Sequence, residues 1–351
     1  MAHITLVLPF ALPLPEFAPD LVRTLQAPAL AALLSRTSDL QRPAQTALAY
    51  ALPHESWLAR ALQLDADGRP AFAARAMRGF GLEPGDGRWH LVTPAHIQVA
   101  RSHLMMTDAR QVALPDDDGR ALFEAARGLC QEIGHELRYG DADTWFLRAD
   151  DWSFECATPD TVANMDLTDF MPMGAQARDY RRLQNEVQMA WHAHPVNAAR
   201  EARRLPVVNA FWLWGGAQDG LTNASPGAAT KAAPAPLATL AVPGWLAALA
   251  PAARRLDALA RLDEVLAQDG LLVAGNLTEA ALAADWSGWL QGMQHLEEQL
   301  FAPLLAAVKG GRVGTLHLVL SSREGLLEAT TGTLSQRKFW RRPTLDPLIR
   351  P

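Results

Sequence analysis

The residues best equipped for chemistry fall in one stretch, from His192-Ala193-His194-Pro195-Val196-Asn197 to Trp214-Gly215-Gly216. Within it, Arg200 carries a guanidinium that can hold a carboxylate or phosphate through paired N–H bonds. Asn197 and Asn209 supply amides, and Gly215-Gly216, closing an apolar run, would let a ligand approach the backbone. Just upstream, Asn185, Gln188 and His192 stand at i, i+3 and i+7, a neutral polar stripe beside the apolar stripe of Leu183, Val187 and Trp191. The candidate ligand site is therefore Asn197, Arg200, Asn209, Trp214, Gly215 and Gly216, with Asn185, Gln188 and His192 as its wall. Each feature also has a plainer reading. The amides can cap backbone, Arg200 can pair with Glu201 or Asp219, and Trp212 and Trp214, two apart on one strand face, can be core.

Other constellations are weaker. On a helix His192 and His194 face apart, and they could share an ion only if the helix breaks at Pro195. Cys130 and Cys156 have no metal or redox spacing and read as buried structural thiols. No dinucleotide or phosphate-loop glycine pattern stands between a strand and a helix. No Gly-x-Ser-x-Gly elbow occurs either.

The elements that must carry these residues are set by apolar periodicity. Ile4-Thr5-Leu6-Val7-Leu8 reads as a buried first strand rather than a secretory signal, since no Lys or Arg precedes it and Pro9, Pro13 and Pro15 punctuate the residues after it. Helical patterns cover about 20–35 and 53–64. Short strand-like runs at 88–107 suggest an antiparallel meander, and a helix to about Leu137 comes after Asp116-Asp117-Asp118. Strands are expected at Thr144–Leu147 and Ser153–Cys156, a helix at 178–193, and a strand over Val207–Trp214. From Leu237 on, strands and helices alternate, including helices at about 252–267 and 285–308, as in a doubly wound parallel sheet. The expected fold is α/β. A mostly parallel sheet flanked by helices, from residues 1–65 and 200–335, would carry an inserted α+β region with antiparallel strands at 66–199. Residues 217–236 read as an Ala/Pro/Gly-rich loop and 336–351 as a basic tail.

Composition narrows the function classes. Of 351 residues, 49% are apolar and 20% charged, with a net charge of −6, so a packed globular fold is expected. No basic stripe suits nucleic acid, and the uncharged run 232–253 is too rich in Ala and Pro for a membrane helix. Neither nucleic acid nor membrane is an expected partner, and the setting is read as cytoplasmic.

Two sets of residues carry a resemblance. His194-Pro195-Val196-Asn197, Arg200, Pro206-Val207-Val208-Asn209 and Trp214-Gly215-Gly216 resemble a stretch of the archaeal-type cofactor-independent phosphoglycerate mutases, members of the alkaline phosphatase superfamily. Over nearly the whole chain, Trp89–Ile97, Trp145–Arg148, Asn185–Met189 and Lys338-Phe339-Trp340-Arg341-Arg342 resemble bacterial RpfE-type regulatory proteins, a group described as phosphoglycerate-mutase-like. The resemblance implies a degenerate alkaline-phosphatase-like fold. The superfamily's chemistry also needs an Asp after the first strand, a Ser or Thr nucleophile, and Asp and His ligands for two metal ions. In this chain the first strand ends Leu8-Pro9-Phe10, and Gly275–Ala280 and Leu320–Glu324 hold no Asp or His. The expectation is a non-catalytic regulatory or binding protein with no metal, no cofactor and no catalytic residue, taking a small anionic metabolite or a protein partner. The alternative is an active mutase or phosphatase with a rearranged site built from His192, His194, Asp166 and Asp169.

Overall fold

The computed structural model describes residues 1–44, 50–66, 69–100, 103–174, 176–218 and 235–349. The chain divides into two compact units, Met1–Ala47 with Ala232–Pro351, and Leu48–Lys231. The described residues 50–65 and 200–218 thus fall in the second unit, so the insertion reaches beyond its expected limits of 66 and 199.

The first unit is built on a seven-stranded sheet in the order Arg255–Leu256, Leu237–Leu240, Gly270–Ala274, Ala2–Leu8, Val313–Ser321, Leu326–Gly332, Asp39–Gln41. The first five strands run parallel and the last two pairings are antiparallel. Ala2–Leu8 lies at the centre, with Leu6 between Leu272 and Leu318. Its unbroken apolar run suits a strand covered on both faces by helices, and Leu6, Val7 and Leu8 are fully buried. The expected long helix near the C-terminal end runs from Trp286 to Lys309, interrupted by a π-turn at Glu297–Phe301. The Asp285 carboxylate caps its start by accepting the Gly288 N–H at 2.9 Å.

The expected helix over 252–267 is not continuous. Single-turn 3₁₀ segments flank the strand Arg255–Leu256, and only Leu262–Leu266 is α-helical. Edge pairing with Thr239–Leu240 takes the backbone bonds a helix would need. Within the uncharged run, the structure has the strand Leu237–Leu240 and the turn-long helix Gly244–Ala247. No helix among the described residues is long and apolar enough to cross a membrane. The basic tail is docked. The Thr344 N–H donates to Ser35 Oγ at 2.8 Å, Lys338 Nζ donates to the Thr37 carbonyl at 2.8 Å, and Leu348 is buried. Most of the expected loop at 217–236 lies outside the described residues.

The second unit holds a four-stranded antiparallel sheet in the order Ala210–Gln218, Arg88–Ala95, Thr144–Arg148, Glu136–Asp141, with a hairpin of Ile97–Ala100 and His103–Met106. The helices Asp116–Glu132 and Gln176–His192 pack on one another around Leu122, Phe123, Trp145, Trp191 and Phe211. Leu183, Val187 and Trp191 are the buried stripe, as their spacing requires. Two strand expectations are corrected in this unit. Residues 153–156 form an irregular segment. The Val207–Trp214 strand, expected in the parallel sheet, begins at Ala210 and pairs antiparallel with Arg88–Ala95. Phe211 and Leu213 enter the helix-covered core, while Trp212 and Trp214 on the other face are also buried. Coverage on both faces produces the continuous apolar run usual in parallel strands.

Candidate functional site

In an open α/β sheet a ligand sits outside the carboxyl ends of the parallel strands. In the first unit these ends belong to Ala2–Leu8, Gly270–Ala274 and Val313–Ser321. After Leu8 the chain turns through Pro9 into Phe10, which holds a left-handed φ of 59° and is buried. That backbone costs a non-glycine residue about 1 kcal/mol or more, so its surroundings must sustain it. Trp289, fully buried, donates its indole N–H to the Phe10 carbonyl at 2.8 Å. The Phe10 N–H meets Ser321 Oγ at 3.4 Å, and the Leu12 N–H donates to the Ser321 carbonyl at 2.9 Å.

The neighbouring strand ends are equally closed. Gly275 donates its N–H to the Leu240 carbonyl at 2.9 Å, and Leu277 is fully buried. A Cβ at Gly275 would collide with the Ala241 carbonyl oxygen, so glycine is required there by close backbone approach. Ser322 Oγ accepts the Glu324 and Gly325 N–H groups at 3.2 and 2.9 Å and so closes the hairpin turn. The donor set at the three ends consists of hydroxyls and backbone already bonded to one another, walled by Phe10, Leu12, Leu277 and Trp289. A pair of divalent metal ions needs several carboxylate or imidazole ligands, and these residues do not fit one.

The residues expected to form a ligand site lie in the second unit, and the structure turns most of them inward. Asn197 is buried. Its Nδ2 donates to the carbonyls of Trp191 (2.9 Å) and Val208 (2.7 Å), and its Oδ1 accepts the Val208 N–H at 2.8 Å. Asn209 bridges to one residue, accepting the Ile97 N–H at 2.7 Å and donating to the Ile97 carbonyl at 2.8 Å. Arg200 is 1% exposed. Its guanidinium donates to the carbonyls of Pro206, at 2.8 Å, and Val112, so its partners among the described residues are backbone oxygens rather than Glu201, and Asp219 lies outside those residues.

Trp214 donates its indole N–H to Thr93 Oγ1 at 3.0 Å inside the sheet. Gly215 and Gly216 do not end the strand, which continues to Gln218 across a shift in register. Gly215 has φ +61° beneath Leu91, and a Cβ at Gly216 would stand 2.6 Å from His90 Nδ1. Glycine there admits neighbouring side chains. The stripe of Asn185, Gln188 and His192 faces solvent, and the amide that turns inward on that helix is Gln184. The apolar stripe takes the packed face and leaves these three outside.

The rearranged metal site is not assembled either. His194 Nδ1 accepts the Val196 N–H at 3.2 Å as cap of the helix Pro195–Ala202, and Asp166 accepts from Thr168. No group of three His, Cys, Asp or Glu side chains among the described residues is arranged to hold an ion. Cys130 and Cys156 are free thiols, and burial pushes Cys130 up to about 12.

Sequence reasoning missed a buried charged cluster in this unit. Arg110 makes two 2.8 Å bonds to the Asp160 carboxylate and a third, also 2.8 Å, to Asp108 Oδ1. Asp108 Oδ2 has no hydrogen-bond partner among the described residues. Nearby, Glu55 is 3% exposed and accepts the Leu52 N–H at 2.8 Å and the Thr158 hydroxyl at 2.7 Å. Burial, then the charge of Asp160, pushes its carboxyl up to about 8, and burial brings His54 down to about 4. Its members stand up to 105 residues apart (Glu55 and Asp160), so no local spacing could reveal it. The one local signal was Glu55 at the third position of the helix Pro53–Ala61, where it caps the Leu52 N–H.

No family model matches the chain, and no curated protein matches it. Among solved structures, the chain is similar over 99% of its length to a cofactor-independent phosphoglycerate mutase from Thermoplasma acidophilum DSM 1728. That match covers 95% of the other chain, at 12% identity and a TM-score of 0.46. It is also similar over 99% of its length to the PH0037 protein from Pyrococcus horikoshii, covering 92% of that chain at 11% identity and a TM-score of 0.53. At that identity the second likeness shows a common fold: a mostly parallel sheet flanked by helices, with an antiparallel insertion.

Proposed function

We propose that this protein is a non-catalytic, partner-binding member of the RpfE-type regulatory group on a phosphoglycerate-mutase-like scaffold. The observation that carries the reading is the closed carboxyl edge of the parallel sheet. Where a phosphoryl-transfer centre would need a nucleophile, two metal ions and their carboxylate and imidazole ligands, the Phe10 backbone bonds to Trp289 and to Ser321. Phosphoryl transfer is catalysed almost wholly by positioning and charge neutralisation, so a scaffold without the cations' ligands has little left to offer. Inward-turned Arg200 also removes the best candidate for holding an anionic metabolite, which favours a protein as partner.

The test is an activity assay of the purified protein with Mn²⁺, Zn²⁺ or Mg²⁺ against 2- and 3-phosphoglycerate and an aryl phosphate. No turnover above a buffer blank is expected with any metal. Saturable turnover that survives repurification would overturn the reading in favour of an active mutase or phosphatase.

A further inference from the structure

In the first unit, the turn after Gln336 presents two aromatic rings to solvent. Phe339 is 83% and Trp340 69% exposed, and their rings meet edge to face at 5.2 Å. Large apolar side chains this exposed are rarely left without use when they stand together. The turn is closed by the Arg341 N–H on the Lys338 carbonyl at 3.0 Å. It is held from both sides, through Lys338 on the Thr37 carbonyl and the Ser35–Thr344 bond. The rings therefore sit on a rigid projection.

Charge sets this projection apart from the rest of the surface. From Ala329 to Ile349 the chain carries Arg337, Lys338, Arg341 and Arg342 against one acid, Asp346, in a molecule of net charge −6. Some exposed arginines elsewhere meet the chain's own carboxylates, as in Arg120–Asp116, Arg182–Glu186 and Arg312–Asp263. Arg341 reaches only the Ser35 carbonyl, at 3.4 Å, and among the described residues neither Arg337 nor Arg342 has a carboxylate partner.

We propose that Arg337, Phe339, Trp340, Arg341 and Arg342 form the docking surface for an acidic segment of a partner protein. The assignment rests on the binding reading above and names the face that carries it. Three guanidiniums without internal carboxylate partners complement carboxylates, which each can grip in a paired fork. Trp and Arg are the residue types that concentrate binding energy at protein interfaces, and a turn already rigid loses little freedom when it docks. A nucleic acid or anionic bilayer is an extended polyanion and would face the negative field of the whole molecule. A folded partner need present its acids only at the turn.

The experiment replaces Trp340 with a photoreactive phenylalanine in the full chain, expressed in the source cells, with the same replacement at Gln131 as control. Expected is a crosslink to one protein through a segment rich in Asp and Glu, absent from the control. It should fall at least about tenfold in an R337Q/R341Q/R342Q variant of unchanged melting temperature. The purified partner should bind with an affinity that drops as salt rises. Crosslinks to lipid, to nucleic acid, to a second copy or to a segment without acids would overturn the proposal, as would none above the control. Any of these leaves the non-catalytic reading intact, and turnover in the phosphatase assay refutes that reading alone.

Discussion

At the scale of single residues, the polar side chains of this protein serve its backbone. Arg200 is the clearest case. Its carbonyl partners at Pro206 and Val112 would be left without a donor if it were truncated. Arg200→Ala should therefore destabilise the fold by about 2–4 kcal/mol, seen as a lower denaturation midpoint, with no change in binding of phosphate or phosphoglycerate. A measurable anion affinity lost in the variant would instead make Arg200 a ligand residue. Glu55 and His54 give a pH signature. Glu55 holds its proton up to about pH 8 when folded and releases it near 4.5 when unfolded, so stability falls as pH rises through that window. His54, near 4 folded and 6.5 unfolded, stays neutral in the fold, so stability falls as pH drops from 6.5 towards 4. Between about pH 4.5 and 6.5 the two slopes oppose and cancel, so a slope approaching 1.4 kcal/mol per pH unit is left only above 6.5, on the alkaline side, and below 4.5, on the acid side. Urea denaturation across pH should show a plateau between about pH 4.5 and 6.5 with a fall on either side, and Glu55→Gln should flatten the alkaline fall. An unchanged alkaline fall would remove Glu55 from that account.

At the scale of elements, the strand end at Phe10 depends on a helix distant in sequence. Trp289→Phe keeps most of the buried ring and loses the indole N–H that meets the Phe10 carbonyl. It should cost about 1–2 kcal/mol, and amide exchange at Ala11 and Leu12 should rise more than at Leu6. Equal changes at all three would mean that the bond does not hold the turn locally. This scale also shows what the sequence made legible. Ile4–Leu8 declared itself as a buried strand, the alternation of strands and helices after Leu237 announced the parallel sheet, and the Leu183, Val187, Trp191 spacing oriented its helix correctly. The Ala210–Gln218 strand was misplaced because a sheet covered on both faces writes an unbroken apolar run whichever way its neighbours point. At the candidate site, His194 to Asn209 was legible as a unit. The direction of its side chains was not, since an Asn or Arg serving backbone is the same residue type as one serving a ligand. The Arg110, Asp108, Asp160 and Glu55 cluster forms only once distant loops meet.

At the scale of the molecule, the parallel sheet keeps the layout of an α/β ligand-binding fold, and its carboxyl edge is filled by its own chain. The lack of Asp and His at Leu8-Pro9-Phe10, Gly275–Ala280 and Leu320–Glu324 was readable from the sequence. The burial of Phe10, Leu12, Leu277 and Trp289 at these strand ends was not, because it brings together segments more than two hundred residues apart. The most direct measurement of this account is the metal content of the purified protein after equilibrium dialysis against micromolar Mn²⁺ and Zn²⁺ and then metal-free buffer. The account expects well under about a tenth of an equivalent of either metal per chain, since the strand ends offer no carboxylate or imidazole set. Retention of one or two equivalents, displaceable by a chelator, would contradict it.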